Sequence, residues 1–381
     1  MKNLILFSVI TFLVFGCLHS QTKSIDSTLK EYYDSSSIPS AIMGSIDADG
    51  NKTWHAFGPS VWNGKDTVNA DNIFRIASMT KPIASVAALQ LVERGLIGLD
   101  DPLNELMPEM VSIPILDEEG NLVQSDQAIT LRQLLTHTSG FSYVWKSEKL
   151  KNFKKTDNWE YIDNPRIFEP GTDFRYGPSL DWAGRVVEKI SGQDLETYIR
   201  ENITGPLNMN STWFNVPKDL EKNIVSWGRK DSTGAFNERP RIPEPVKSYS
   251  AGGGLLSSLN DYLKFLYCIL NYGVYEGGRI LKQETVEMML TDNLPKDVDL
   301  TNGFIESDGF GLGWAIRAYE NKFFLPVGSV YWTGGFNTYF ALDANKKIAY
   351  VYFSNYTPHL EKDTFGFNKL FGKGVFDKIK E

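Results

Sequence analysis

Two stretches of alternating hydrophobicity stand at opposite ends of this chain. SAIMGSIDADGNKTWHAFG (40–58) alternates on both sides of an Asp-Gly pair at 49–50. YWTGGFNTYFALDANKKIAYVYFSN (331–355) alternates between turn signals at Gly-Gly and at DANKK. Strand side chains two apart share a face, so both stretches read as antiparallel strands joined by tight turns. The text between them is mostly helical or irregular, with no internal repeat and no low-complexity linker. The simplest architecture is an α+β sandwich. Its antiparallel sheet is assembled from the two ends and flanked by helices, and a mostly helical region is inserted. The expected layout is one domain over 23–381, with an α/β part at 23–105 and 250–381 and the insertion at 106–249.

Helical periodicity places elements at 23–37, at 78–95 with Gly95 as its stop, and at 129–140 with Thr130 as N-cap and Gly140 just past the end. Residues 179–207 read as two helices divided at Ser191-Gly192. AGGGLLSSLNDYLKFLYCILNYG (251–273) is a Gly-rich bend running into a helix, and FNKLFGKGVFDKIK is a terminal helix. Residues 215–248 and 292–307 look loop-rich.

Met1-Lys2-Asn3 followed by LILFSVITFLVFG and Cys17 has the form of an export signal, expected to occupy 1–20. VFGC resembles a lipobox, which would lipidate Cys17 and anchor the protein to a membrane. Cleavage near Ser20 and simple secretion is the alternative. Either way the expected location is outside the cytoplasm: periplasmic, outer-membrane-anchored or secreted. The second of two cysteines, Cys268, then has no partner and reads as a buried helical thiol. The net charge of −8 and the absence of a basic stripe exclude a nucleic-acid partner. No protein partner is indicated. Twenty-three Phe, seventeen Tyr and nine Trp supply an aromatic core and can line a pocket.

IASMTKP (76–82) carries the chemistry. Ser78 and Lys81 are three apart, so on a helix they face the same space. Pro82 is tolerated only in a first helical turn, which puts Ser78 at or just before the helix start. There the helix dipole favours developing negative charge. A lysine with its pKa lowered could take the serine proton, and the spacing then makes an activated nucleophile. Alone, Ser-x-x-Lys is as readily an N-cap beside a solvated lysine, and context has to decide.

Ser-x-x-Lys is followed by Tyr176 in FRYGPSLDWAGRVVEKISG and by WTGG (332–335). This order is similar to that of the serine β-lactamase and penicillin-binding-protein superfamily. FRIASMTKPIAS, ITLRQLLTHTSG, AGGGLLSSLNDYLKF and DGFGLGW extend the resemblance over nearly the whole chain. The branch it resembles contains class C β-lactamases, D-alanyl-D-alanine carboxypeptidases and related esterases and transesterases. The resemblance implies that Ser78 forms an acyl-enzyme, with Lys81 and Tyr176 sharing the general-base work. It also implies an oxyanion hole from the backbone N–H groups of Ser78 and Gly335.

Two departures narrow the substrate. Where the β-lactamases and peptidases place an asparagine two residues after the tyrosine, this chain has Pro178. Where they place a lysine or histidine, it has Trp332. Indole cannot hold a carboxylate but gives an apolar wall. A pocket formed by Trp332, Thr333, Gly334 and Pro178 therefore points to neutral carboxylic esters, with water or an alcohol as final acceptor. The rival activities are a D-amino-acid peptidase or weak β-lactamase, and a non-catalytic binding protein on the same fold. His137 is expected to pack or end a helix. Asp181 and Trp182 are expected to orient the helix after Tyr176, and Arg185 and Glu188 to form a surface pair. No metal-ligand spacing is evident and no cofactor is expected.

Overall fold

The computed structural model describes residues 24–298, 300, 309–318 and 325–377. The export-signal segment and Cys17 lie outside these residues. Seven antiparallel strands form the central sheet. They are β1 (Ala41–Asp47), β2 (Lys52–Phe57), β3 (Gly309–Phe310), β4 (Ala315–Ile316), β5 (Val330–Gly334), β6 (Thr338–Asp343) and β7 (Ile348–Phe353). The order is β3-β4-β5-β6-β7-β1-β2. The two ends of the chain meet where β1 pairs with β7, Ile42 opposite Phe353. β1 is buried on both faces as far as Ile46, so it is a nearly continuous apolar run, whereas β2 exposes Lys52 to Trp54 along the edge.

Seven helices matter for the site. They are α1 (Ile25–Ser35), α2 (Thr80–Glu93), α3 (Leu131–Leu135), α4 (Ser179–Ser191), α5 (Leu195–Ile199), α6 (Leu259–Leu270) and α7 (Lys362–Asp377). Alternation along β7 sorts them onto two faces. Tyr350 and Tyr352 meet Phe371 and Phe367 of α7, while Phe353 meets Tyr262 of α6. α1 covers α7 on the outer side, Tyr32 stacking on Phe367 at 5.3 Å. Gly366 permits that approach, since a Cβ there would lie 1.9 Å from Tyr32 Oη. Beyond α6, α2 packs against α4 and is buried from Thr80 to Leu91. A helix apolar on every side belongs in a core. Leu89 and Leu91 are fully buried, which stabilises the fold by roughly 1.5–3 kcal/mol each.

The short strand Ile73–Arg75 pairs with Leu256–Ser258. This pairing brings two distant segments together, the turn before α2 and the Gly-rich bend before α6. The division of 179–207 falls at Gly192, which adopts φ 70. Cys268 is a buried free thiol on α6.

Three expectations need correction. The helix expected over 129–140 ends at Leu135. Thr130 and Gln133 form its capping box, but Thr138 N–H donates back to Gln133 O (2.9 Å) and His137 N–H to Leu134 O (3.4 Å). Those two bonds close the helix, with His137 taking the left-handed position at φ 57 that glycine usually occupies. The loop-rich 215–248 contains a hairpin, Trp227–Lys230 with Phe236–Arg239, which pairs with Tyr356–Thr357. Its side chains are mostly exposed or half-buried, so it lacks an alternating apolar signature. Arg185 lies over the Trp182 ring at 4.6 Å, and Glu188 accepts from Leu195 N–H (3.0 Å), ordering the step from α4 to α5.

Candidate active site

Ser78 sits in a tight 3-10 turn, Ala77–Met79, directly before α2. Ala77 takes φ 45, a sparsely populated conformation for a residue with a Cβ, and three contacts hold it there. Ala77 O accepts from Thr80 Oγ1 (2.7 Å), Thr80 Oγ1 in turn accepts from Leu255 N–H (3.1 Å), and Met79 O accepts from Tyr262 Oη (2.9 Å). The nucleophile turn is thus tied to the Gly-rich bend and to α6.

The structure brings Ser78, Lys81 and Tyr176 together. Tyr176 Oη donates to Ser78 Oγ at 2.6 Å. Lys81 Nζ donates to Ser78 Oγ at 3.2 Å and to Gly252 O at 2.6 Å, and it stands 4.6 Å from the Tyr176 ring centroid. Lys81 is completely buried. Burial alone would push its ammonium down, but the phenolic oxygens of Tyr143 and Tyr176 and the Asp181 carboxylate outweigh it. The Lys81 pKa is therefore raised above the ordinary lysine value. This direction is opposite to the lowered lysine pKa expected from the sequence.

WTGG stands on the other side. Trp332 and Thr333 lie on β5 opposite Phe340 and Tyr339. The chain turns back through Gly335, Phe336 and Asn337. Gly334 fits only as glycine, because a Cβ would lie 2.2 Å from Ile76 O and 2.1 Å from Thr338 Oγ1. Gly335 has nothing within 4 Å of its Cβ direction and lines the cavity. That cavity of about 430 Å³ is walled by Ser78, Tyr176, Trp332, Thr333 and Gly335. Trp145, His359 and Leu360 form its rim, Trp145 and Leu360 being 56% and 50% exposed. No lysine or arginine lines it among the described residues. Trp332 packs on Tyr176 (5.2 Å) and edge-on to Phe310 (5.4 Å). Pro178 stands at the N-cap of α4, its carbonyl accepting from Asp181 N–H (2.9 Å).

Known proteins are similar to this chain in sequence and in fold. A family model described as beta-lactamase matches residues 25–369. The chain belongs to the beta-lactamase family. The lovastatin esterase of Penicillium rubens is 31% identical over 71% of this chain and 73% of its own. The monacolin J acid methylbutanoyltransferase of Aspergillus terreus is 28% identical over 88% of this chain and 90% of its own. Among solved structures, a mutant simvastatin synthase from Aspergillus terreus superposes with a TM-score of 0.85 at 26% identity, covering 93% of this chain and 94% of the other. Within the family the chain is a serine-hydrolase-type enzyme, and its matches include ester-cleaving and acyl-transferring members.

Sequence reasoning missed Tyr143, whose ring centroid lies 5.9 Å from Lys81 Nζ and 5.2 Å from the Tyr176 ring. Burial pushes its phenol up to about 12 against the pull of the Lys81 ammonium. It also missed the rim residues Trp145, His359 and Leu360. Asn337 Nδ2 places the segment carrying the last two by donating to Tyr356 O (2.9 Å) and Pro358 O (2.8 Å). None of these residues carries a local pattern. His137 packs edge-on against the Tyr176 ring at 4.9 Å, and its Nδ1 accepts from Gly177 N–H at 3.4 Å. It supports the loop that presents Tyr176 and does not reach the cavity wall.

Proposed function

We propose that the protein is a carboxylic-ester hydrolase and acyl-transfer enzyme working through a Ser78 acyl-enzyme. The observation that carries this reading is the 2.6 Å contact between Tyr176 Oη and Ser78 Oγ, beneath a cavity walled by Trp332 and lined, among the described residues, by no lysine or arginine. In the reacting form Tyr176 has lost the proton that it donates to Ser78 Oγ at rest; the contact reverses, and the phenolate takes the Ser78 proton as Oγ attacks the ester carbonyl. The Lys81 ammonium, held charged, stabilises negative charge on the Tyr176 oxygen and does not act as the base. The tetrahedral oxyanion accepts from the backbone N–H groups of Ser78 and Gly335. Collapse expels the alcohol, which takes the proton back from Tyr176. Water or a second alcohol then attacks the acyl-enzyme by the reverse path, giving a hydrolysed acid or a new ester.

The apolar wall supports neutral acyl groups and weak discrimination among them. The test compares wild type, Ser78→Ala and Tyr176→Phe on a short-chain p-nitrophenyl ester and a chromogenic cephalosporin, with and without an added alcohol. Ester turnover lost in both variants, with little cephalosporin turnover, supports the reading. Efficient cephalosporin turnover would place the protein with the β-lactamases instead.

The basic start, the apolar run 4–16 and the sequence VFGC support export, with Cys17 as the lipidated residue. Metabolic labelling with a radioactive fatty acid tests this. Label lost in Cys17→Ala is expected, and an unlabelled wild-type protein would refute the anchor.

A further inference from the structure

We propose that Asp181 is a positioning residue for the acyl-transfer reaction: it fixes the Gly252 backbone so that the Gly252 carbonyl holds Lys81 against Ser78 and Tyr176. The proposal rests on the Ser78 acyl-enzyme reading. Asp181 sits in the first turn of α4, five residues after Tyr176. Its Oδ1 accepts from Gly252 N–H at 2.9 Å and from Ser250 Oγ at 2.7 Å. On the other side of the same Cα, Gly252 O accepts from Lys81 Nζ at 2.6 Å, and Lys81 Nζ donates to Ser78 Oγ at 3.2 Å. One carboxylate therefore connects α4, which follows the Tyr176 loop, to the bend that grips the lysine.

A Cβ at position 252 would lie 2.5 Å from Asp181 Oδ2 and would push the carboxylate away, so glycine lets the two approach. Glycine is also the residue least able to hold its own φ and ψ, so an outside anchor is needed to keep its carbonyl aimed. An ammonium has three donors and no acceptor. The Gly252 carbonyl takes one proton and so sets how the other two are presented. Asp181 also acts through space. The charged and titratable groups facing Lys81 are Tyr143, Tyr176, Asp181 and His137. Of these, the Asp181 carboxylate helps to keep Lys81 protonated.

Geometry and charge can be separated. Asp181→Asn keeps an acceptor for Gly252 N–H and Ser250 Oγ but removes the charge; Asp181→Ala removes both. The experiment measures kcat and KM for a p-nitrophenyl ester across pH, per active site counted by fluorophosphonate labelling. It also measures the rate of that labelling at Ser78. Asp181→Ala should lower kcat roughly 100-fold with KM little changed, because a misplaced catalytic group costs about that much. Asp181→Asn should recover most of the plateau while its alkaline limb moves to lower pH. A merely structural role would lower the melting temperature and the number of active sites but leave kcat per site and both pH limbs in place. That outcome would overturn the proposal. If Asp181→Ala does not fold, the alkaline limb of Asp181→Asn decides alone. Failure of the esterase reading is distinguishable: wild type would then be labelled at Ser78 without turning over esters. The labelling rates of the variants would still test Asp181.

Discussion

Gly334→Ala is the substitution whose effect the structure defines most sharply. An added Cβ would lie 2.1 Å from Thr338 Oγ1, a side-chain end that can rotate, and 2.2 Å from Ile76 O, a backbone atom that cannot. Cβ contacts shorter than 3.0 Å are essentially never seen. Ile76 must therefore retreat by about 1 Å, taking with it the turn that its carbonyl closes by accepting from Met79 N–H (3.1 Å). Ser78 lies inside that turn. A displacement of about 1 Å in a reacting group costs on the order of 100-fold in rate. Overpacking of this kind costs roughly 1–3 kcal/mol, which a domain of this size tolerates while staying folded. Gly335→Ala is the control. Its Cβ meets nothing within 4 Å, so it should leave stability unchanged and raise KM for bulky esters more than it lowers kcat. The assay is p-nitrophenyl ester hydrolysis per fluorophosphonate-labelled site, with melting temperatures for both variants. A Gly334→Ala enzyme with kcat within about threefold of wild type would refute the claim that the strand edge holds the nucleophile turn in place.

Three further predictions follow from the site and the core. Tyr176→Phe keeps the ring packing on Trp332 and removes only the oxygen at 2.6 Å from Ser78, so kcat should fall by roughly 10²–10⁴ with little change in melting temperature. Burial first, and then the Lys81 ammonium, hold the His137 pKa well below its ordinary value; burial lowers that of His359. Below about pH 6.5 the unfolded chain binds protons that the folded chain does not, so stability is full above that pH and falls as the pH drops, by up to ~1.4 kcal/mol per unit per histidine. Denaturant melts from pH 7.5 to 5 should show this decline, and His137→Asn, which tolerates φ 57, should flatten part of it. Burial pushes the Cys268 thiol up to about 12, so an aromatic disulfide reagent should leave the native protein unlabelled at pH 8 and label it fully in denaturant.

The sequence by itself determined the elements whose signals are local. Alternation around Asp49-Gly50 and through 331–355 marked the strands of the central sheet. Pro82 marked where α2 begins, because a proline ring clashes one turn further in, and three-residue spacing put Ser78 and Lys81 on one side. The order Ser78, Lys81, Tyr176, WTGG was enough to indicate the reaction class. Interactions between segments distant in the chain were not legible. The hairpin at 227–239 has few buried side chains, and His137 ends α3 early by taking a conformation that no nearby residue announces. Only the tertiary structure decided which way the Lys81 pKa moves, since burial and three oxygens from two separate segments oppose each other there. It also gave Asp181 its place, through the pairing of Ile73–Arg75 with Leu256–Ser258 that sets the Gly-rich bend against the nucleophile turn. A proton's position depends on distances of a few ångströms in low-dielectric surroundings, and in this protein those distances are set by residues 69 to 171 positions apart.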